Sequence, residues 1–204
     1  MSEFPVYLID DDDSVRRSIG FMLKTSGLRV ESYIDGIEFL GEVRRLDPGA
    51  VLLDIRMPGM DGLEVQAALN ERGNNFPVIV MTGHGDVDVA VRAMRGGAID
   101  FIEKPFDKAV VLGSLAEAFI RLDRSGKQGA RREEARKRLN GLTPRERDVL
   151  EGLAVGYPNK TIGYDLGISA RTVEIHRANL MKKLEVSNIS DLLRIAFAAG
   201  LGDD

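Results

Sequence analysis

Across residues 1–122, short apolar runs alternate with stretches whose apolar positions recur every three or four residues. Val6-Tyr7-Leu8-Ile9 reads as a first strand that runs into Asp10-Asp11-Asp12-Asp13. Arg29 to Tyr33, Val51 to Asp54, Pro77 to Met81 and Ala98 to Glu103 read as four more, each bounded by turn residues. Between them, Val15, Ile19, Met22 and Leu23 mark a helix with Ser14 as N-cap and Gly27 at its end. Ile37, Leu40, Val43 and Leu46 line a second helix. Leu63 to Leu69, Val87 to Met94 and Val110 to Leu122 supply three more. Strand and helix repeated in this way imply a parallel sheet covered on both faces. Five strands predict an α/β, flavodoxin-like, doubly wound sheet of order 2-1-3-4-5, with a site where the order reverses between strands one and three.

Residues 123–140 change character: one large apolar residue, many charges and two glycines predict a charged, partly helical linker with no core of its own. Structure restarts at Leu142-Thr143-Pro144-Arg145-Glu146. Here Thr143 suits an N-cap, Pro144 the first helical position, and Glu146 completes a capping box. Further helices are predicted over Asn159 to Leu166, Ala170 to Leu184 and Ser190 to Ala199, with Gly167-Ile168-Ser169 as the turn before the third. Residues 141–204 therefore read as an all-α, four-helix domain of helix-turn-helix type.

The 204 residues include no cysteine, which excludes disulfides, thiol nucleophiles and cysteine-bound zinc. The two histidines, His84 and His176, are too far apart in sequence to suggest a histidine metal site. Nothing at the N-terminus resembles a signal peptide and no apolar stretch is long enough to span a membrane, so a cytoplasmic location is expected. Charge is uneven. Residues 1–120 hold 12 Lys and Arg against 20 Asp and Glu; residues 121–204 hold 16 against 12. The first part favours a cation and the second an anionic partner.

The candidate chemistry lies at the carboxyl ends of the strands. Asp10 and Asp11 follow strand one, and Asp54 ends strand three before the turn-rich loop Pro58-Gly59-Met60-Asp61-Gly62. Thr82 follows strand four and Lys104 follows strand five. Three carboxylates at one sheet edge repel unless a cation shares them, and an all-oxygen site suits Mg²⁺. Such an ion would leave Asp54 as a nucleophile toward a phosphoryl group. Lys104 and Thr82 could donate to that group's oxygens. A cis Lys104-Pro105 bond would aim the lysine.

These residues carry a resemblance. Asp10-Asp11, Leu53-Asp54-Ile55-Arg56-Met57-Pro58-Gly59-Met60-Asp61-Gly62, Thr82-Gly83-His84-Gly85-Asp86 and Phe101-Ile102-Glu103-Lys104-Pro105-Phe106 are similar to bacterial response-regulator receiver domains, most of all to the FixJ subgroup. The resemblance implies that Asp54 accepts phosphate from a sensor histidine kinase. It implies Mg²⁺ (or Mn²⁺) held by Asp11 and Asp54, by Asp10 through water and by the Arg56 backbone carbonyl. Thr82 and Phe101 would form a switch pair, and phosphorylation would produce a homodimer or release the DNA-binding half. Many members have tyrosine where this chain has Phe101, so switching here would rest on packing.

Residues 141–199 resemble the LuxR/FixJ-type helix-turn-helix over their full length, through Leu142-Thr143-Pro144-Arg145-Glu146-Arg147, Gly156 to Ile162 and Ile168 to Leu184. In the third helix of this half, Val173, Leu180 and Leu184 make an inward stripe. Arg171, Thr172, Glu174, Ile175, Arg177, Ala178 and Lys182 lie on other faces. Arg171 or Arg177 could donate to guanine, Glu174 could accept from cytosine, and Ile175 or Ala178 could touch a thymine methyl. Asn159, Lys160, Thr161, Asn179 and Lys183 suit phosphates. Double-stranded promoter DNA and RNA polymerase are the partners this implies. Gly163 stands where the family commonly has alanine. Two rival readings remain at this point. One is a constitutive DNA binder whose receiver is a scaffold or phosphate sink. The other is a haloacid-dehalogenase-type phosphohydrolase, since Asp11-Asp12-Asp13-Ser14-Val15 fits that motif with Asp11 as nucleophile and Asp13 as general acid.

Overall fold

The computed structural model describes residues 4–73, 76–83 and 87–202. His84, Gly85 and Asp86, part of the motif after the fourth strand, lie outside them. The chain divides into two compact units, Met1–Arg124 and Ser125–Asp204.

In the first unit the elements run β1 (Val6–Ile9), α1 (Asp13–Thr25), β2 (Val30–Tyr33), α2 (Gly36–Glu42) and β3 (Ala50–Asp54). They continue as α3 (Gly62–Glu71), β4 (Val78–Thr82), α4 (Val87–Arg95), β5 (Asp100–Glu103) and α5 (Lys108–Leu139). The described strands form one parallel sheet of order β2-β1-β3-β4-β5, as the alternation predicts. Side chains alternate along a strand, so a sheet covered on both sides needs apolar residues at every position. Tyr7, Ile9, Val51, Leu53 and Val80 bury into one layer with Phe39, Val65 and Leu69. Val6, Leu8, Leu52, Ile79 and Met81 bury into the other with Ile19, Leu23, Val111 and Leu115.

Several local expectations are corrected. Asp12, not Ser14, caps α1: its Oδ1 accepts from Ser14 N at 2.8 Å and Val15 N at 3.3 Å. The carboxylate two residues earlier reaches the free amides of the first turn, and the Ser14 hydroxyl itself donates to it at 2.5 Å. Helix α2 ends at Glu42, well short of Leu46, and Ile37 is exposed. Leu40 and Val43 are buried as expected, and α2 also buries Phe39, in edge contact with Tyr33 and Phe76.

The second unit contains α6 (Pro144–Ala154), α7 (Asn159–Leu166), α8 (Ala170–Lys183) and α9 (Ile189–Ala199). Thr143 and Glu146 form the capping box, and Pro144 opens α6. Ser169 caps α8, accepting from Thr172 N at 3.0 Å. The stripe Val173, Leu180 and Leu184 is buried against Val149, Leu150, Ile162 and Leu192. Where a linker is expected, α5 continues without a break to Leu139. Residues 130–138 are mostly Ala, Arg, Glu and Lys, which favour helix enough to outweigh Gly126 and Gly129 at about 1 kcal/mol each. Ala135 and Leu139, one turn apart, are buried in the second unit's core.

Candidate functional site

Four adjacent chain segments bring their functional side chains to one edge of the sheet. Asp10 follows β1, Asp54 and Thr82 end β3 and β4, and Lys104 follows β5. The centre is the Lys104 ammonium. Its Nζ donates to Asp10 Oδ2 at 2.6 Å and to Asp54 Oδ1 at 2.5 Å. Asp10 is 1% and Asp54 6% exposed, so both carboxylates are withdrawn from water and depend on that cation. The other Asp10 oxygen accepts from Asp12 N at 3.0 Å, and Arg16 donates to the Asp10 carbonyl at 2.7 Å. Burial pushes the Asp54 carboxyl above its ordinary value, against the donors Lys104 and the Arg56 amide. For Lys104, burial pulls downward but the hydrogen bonds to Asp10 and Asp54 win, and the ammonium is held above its ordinary value.

The backbone fixes these positions. Lys104 N donates to Thr82 O at 2.6 Å, and Ile55 N to Met81 O at 3.1 Å. Gly62 N closes the loop after β3 on Ile55 O at 2.9 Å. The Lys104-Pro105 peptide is cis. Beside Lys104 an open groove of about 550 Å³ is lined by Ser14, Ser18, Ile19 and Phe106 among others. Thr82 is buried, and Phe101 is half-buried against the layer of Val80 and Ile9. The Phe101 amide donates to Asp100 Oδ1 at 2.8 Å, and the Ser114 hydroxyl of α5 donates to Asp100 Oδ2. This tie between β5 and α5 had no signature in the sequence, since Asp100 and Ser114 belong to no motif.

The Lys104 ammonium, expected to donate to a phosphoryl group, bridges Asp10 and Asp54 and offsets the repulsion between the two buried carboxylates. Asp11 is exposed, and among the described residues no three acidic or histidine side chains gather into a ready-made metal cage. Two buried carboxylates converging on one cation nevertheless fit the donor set of a hard divalent ion, with Asp11 adjoining on the chain and the Arg56 carbonyl on the following loop. The phosphohydrolase arrangement gains no support: Asp12 is occupied as the helix cap, and Asp13 pairs with Arg17 at 2.6 Å and Arg16 at 3.2 Å.

In the second unit, α8 presents Arg171, Glu174, Ile175, Ala178, Asn179 and Lys182 to solvent, with Thr172 half-exposed. Arg171 pairs with Glu174 at 2.8 Å on that surface. Lys160 is exposed on α7, and Thr161 is half-buried. Arg177 donates to Asn159 Oδ1 at 3.0 Å, joining α8 to α7. Lys183 is engaged too: its Nζ lies 2.7 Å from the buried Glu146 carboxylate. His176 packs inward, with Nδ1 buried and lacking a partner among the described residues. Gly163 is explained by crowding, because a Cβ there would lie 2.8 Å from the Ile168 carbonyl.

Residues 6–116 match the response regulator receiver domain, and residues 140–196 match the bacterial regulatory proteins of the luxR family. The chain belongs to the response regulators. It is 50% identical over 197 residues to the transcriptional regulatory protein FixJ of Azorhizobium caulinodans, covering 97% of this chain and 93% of that one. It is 42% identical to FixJ of Rhizobium meliloti, covering 99% of each. Among solved structures it resembles full-length FixJ from B. japonicum, with TM-score 0.61, 40% identity and 98% of both chains covered. It also resembles the response regulator StyR, with TM-score 0.76, 34% identity, 95% of this chain and 98% of that one covered. As a response regulator joining a receiver to a LuxR-type DNA-binding domain, it is a phosphorylation-controlled transcription regulator and not an enzyme. Its family implies a histidine kinase and DNA as partners, and receivers generally bind Mg²⁺ at the phosphorylation site. Among the described residues no helix is long and apolar enough to cross a membrane.

Proposed function

We propose that Asp54 is the phosphoacceptor: its carboxylate attacks the phosphoryl group of a phosphohistidine on the sensor kinase, forming an O–P bond as the N–P bond breaks. The observation that carries this is the convergence of Lys104 Nζ on Asp10 and Asp54 at 2.6 and 2.5 Å. That ammonium can follow the charge from carboxylate to acyl phosphate, and the Thr82 hydroxyl at the end of β4 supplies a second donor. Mg²⁺, or Mn²⁺, would be held by Asp11 and Asp54, by Asp10 through water and by the Arg56 carbonyl. When bound it neutralises the incoming phosphoryl oxygens.

Thr82 and Phe101 then act as the switch pair. Phe101 lacks a phenolic hydroxyl, so its inward turn is driven by packing. The dimer forms on the face that includes α4, where Val91 and Met94 are 43% and 47% exposed. Residues 1–122 serve as the phosphoacceptor half and residues 141–204 as the DNA-binding half. The symmetric pair reads two promoter half-sites about 34 Å apart, or a multiple of that. Arg171, Thr172, Glu174, Ile175, Arg177 and Ala178 face the bases, and Asn159, Lys160, Thr161, Asn179 and Lys182 the backbone. The regulator works in the cytoplasm, where it meets promoter DNA and RNA polymerase.

The test adds Mg²⁺ and acetyl phosphate to the full chain and follows mass, assembly and DNA affinity. Wild type should gain one phosphoryl group that maps to Asp54, form dimers and bind DNA more tightly. Asp54→Asn should do none of these. Phosphate on Asp11, or a wild type whose assembly and affinity ignore phosphorylation, overturns the proposal.

A further inference from the structure

We propose that Lys183 and Glu146 are a positioning pair that sets how α8 is presented to DNA, so that Lys183 acts on sequence reading through Glu146 and not by touching a phosphate. The inference rests on reading α8 as the recognition helix.

Glu146 stands in the first turn of α6 and is 4% exposed. A single oxygen, Oε2, accepts three bonds: Thr143 N at 2.8 Å, Thr143 Oγ1 at 2.9 Å and Lys183 Nζ at 2.7 Å. The bond from Thr143 N closes the local capping box with the return bond from Glu146 N to Thr143 Oγ1 at 3.3 Å. The third crosses to the last residue of α8. A carboxylate removed from water remains ionised only where donors replace the water. Burial pushes the Glu146 carboxyl upward, but Lys183 and Thr143 together hold it below the usual range. Lys183 and Lys182 are both exposed, but the Lys183 ammonium is already committed to Glu146.

The same end of α8 has a second polar anchor. Arg138, near the end of α5, donates to the carbonyl of Leu184, the residue that closes α8. Two elements thus hold the C-terminal end of α8, while Arg171, Glu174 and Ile175 lie toward its N-terminal end. From Lys183 to Arg171 is about 18 Å of helix at 1.5 Å per residue. A tilt of about 5° at the anchored end would move the reading residues about 1.5 Å, given that arm. Recognition constellations tolerate about 0.5 Å. The pair therefore bears on specificity more than on attraction.

The experiment uses the full chain activated with Mg²⁺ and beryllofluoride. Wild type selects a duplex from a random-sequence library, and a scrambled duplex of equal length serves as the non-specific probe. Affinities are measured against salt for wild type, Lys183→Met, Lys183→Arg and Glu146→Gln, below each chain's melting range. Lys183→Met and Glu146→Gln should each lose about tenfold on the selected duplex, the scale of one misread base pair. Binding to the scrambled duplex and the salt slope should stay as in wild type, and Lys183→Arg should restore affinity. If Lys183→Met lowers the slope by about 0.9 while Glu146→Gln binds normally, Lys183 is a phosphate contact and the inference is overturned. Equal losses on both duplexes, or no loss on either, overturn it as well. A wild type that enriches no duplex overturns the underlying reading of α8 instead.

Discussion

Burial raises the Asp54 carboxyl above its ordinary 3.8, even though Lys104 donates to it at 2.5 Å. For an acid whose folded value is raised, the ionised form costs stability; the cost is complete above the raised value and vanishes below 3.8. Without metal, Asp54→Asn should therefore melt above wild type at pH 7, and the gap should close as pH falls toward 3.8, followed by calorimetry. Lys104 keeps Asp10 as its partner in that variant. Gly62 matters for the opposite reason. A Cβ there would lie 2.3 Å from the Asp54 carbonyl and 3.0 Å from Ile55 Cα, and backbone cannot yield as a side chain can. Gly62→Ala should cost about 1–3 kcal/mol of stability, measured by denaturant unfolding, and should slow acetyl-phosphate labelling by displacing Asp54. The strand-end positions of Asp54, Thr82 and Lys104 were readable because an apolar run announces its own end. The bridging role of Lys104 was not, because it depends on partners 94 and 50 residues away. Lys183 looked like a phosphate ligand for the same reason: helical periodicity exposes it, while the acid that captures it lies 37 residues earlier.

At the scale of elements, periodicity identified each strand and each helix among the described residues, since a doubly covered sheet leaves little ambiguity about where apolar residues must go. It says least where burial is sparse. The segment after Leu122 offers one large apolar residue, so composition spoke for a linker, yet Ala135 and Leu139 share a face one turn apart and are buried at 5% and 4%. Intrinsic helix preference supplies the backbone there, and two side chains suffice to dock it. Leu139 lies just outside residues 140–196, the extent of the luxR-family match. Leu139→Ala should nevertheless destabilise the second unit by about 2–4 kcal/mol, the range for deleting a buried leucine. Denaturant unfolding of the full chain should show the loss in the transition of that unit. A change under 0.5 kcal/mol, the scale of surface substitutions, would mean that the last turns of α5 are not part of that core.

At the scale of the molecule, the two units have separate hydrophobic cores, and α5 belongs to both. A phosphorylation-controlled DNA binder must couple them, and coupling in binding free energy is reciprocal. If Mg²⁺ and beryllofluoride raise affinity for a selected duplex by some factor, the duplex must raise affinity for beryllofluoride by the same factor. Such factors typically run from about 5 to 150. Asp100 is a candidate point of control, because its carboxylate accepts from both the Phe101 amide and the Ser114 hydroxyl of α5. Removing that hydroxyl should loosen the hold of β5 on α5 without touching Asp10, Asp54 or Lys104. In Ser114→Ala, acetyl-phosphate labelling of Asp54 should proceed at the wild-type rate while both factors shrink together by severalfold. Titrations in both orders, at protein concentrations where assembly is constant, measure the two factors independently. Wild-type values for both in that variant would rule out the Asp100–Ser114 tie as part of the coupling. A slowed labelling rate would instead place Ser114 with the phosphorylation site itself.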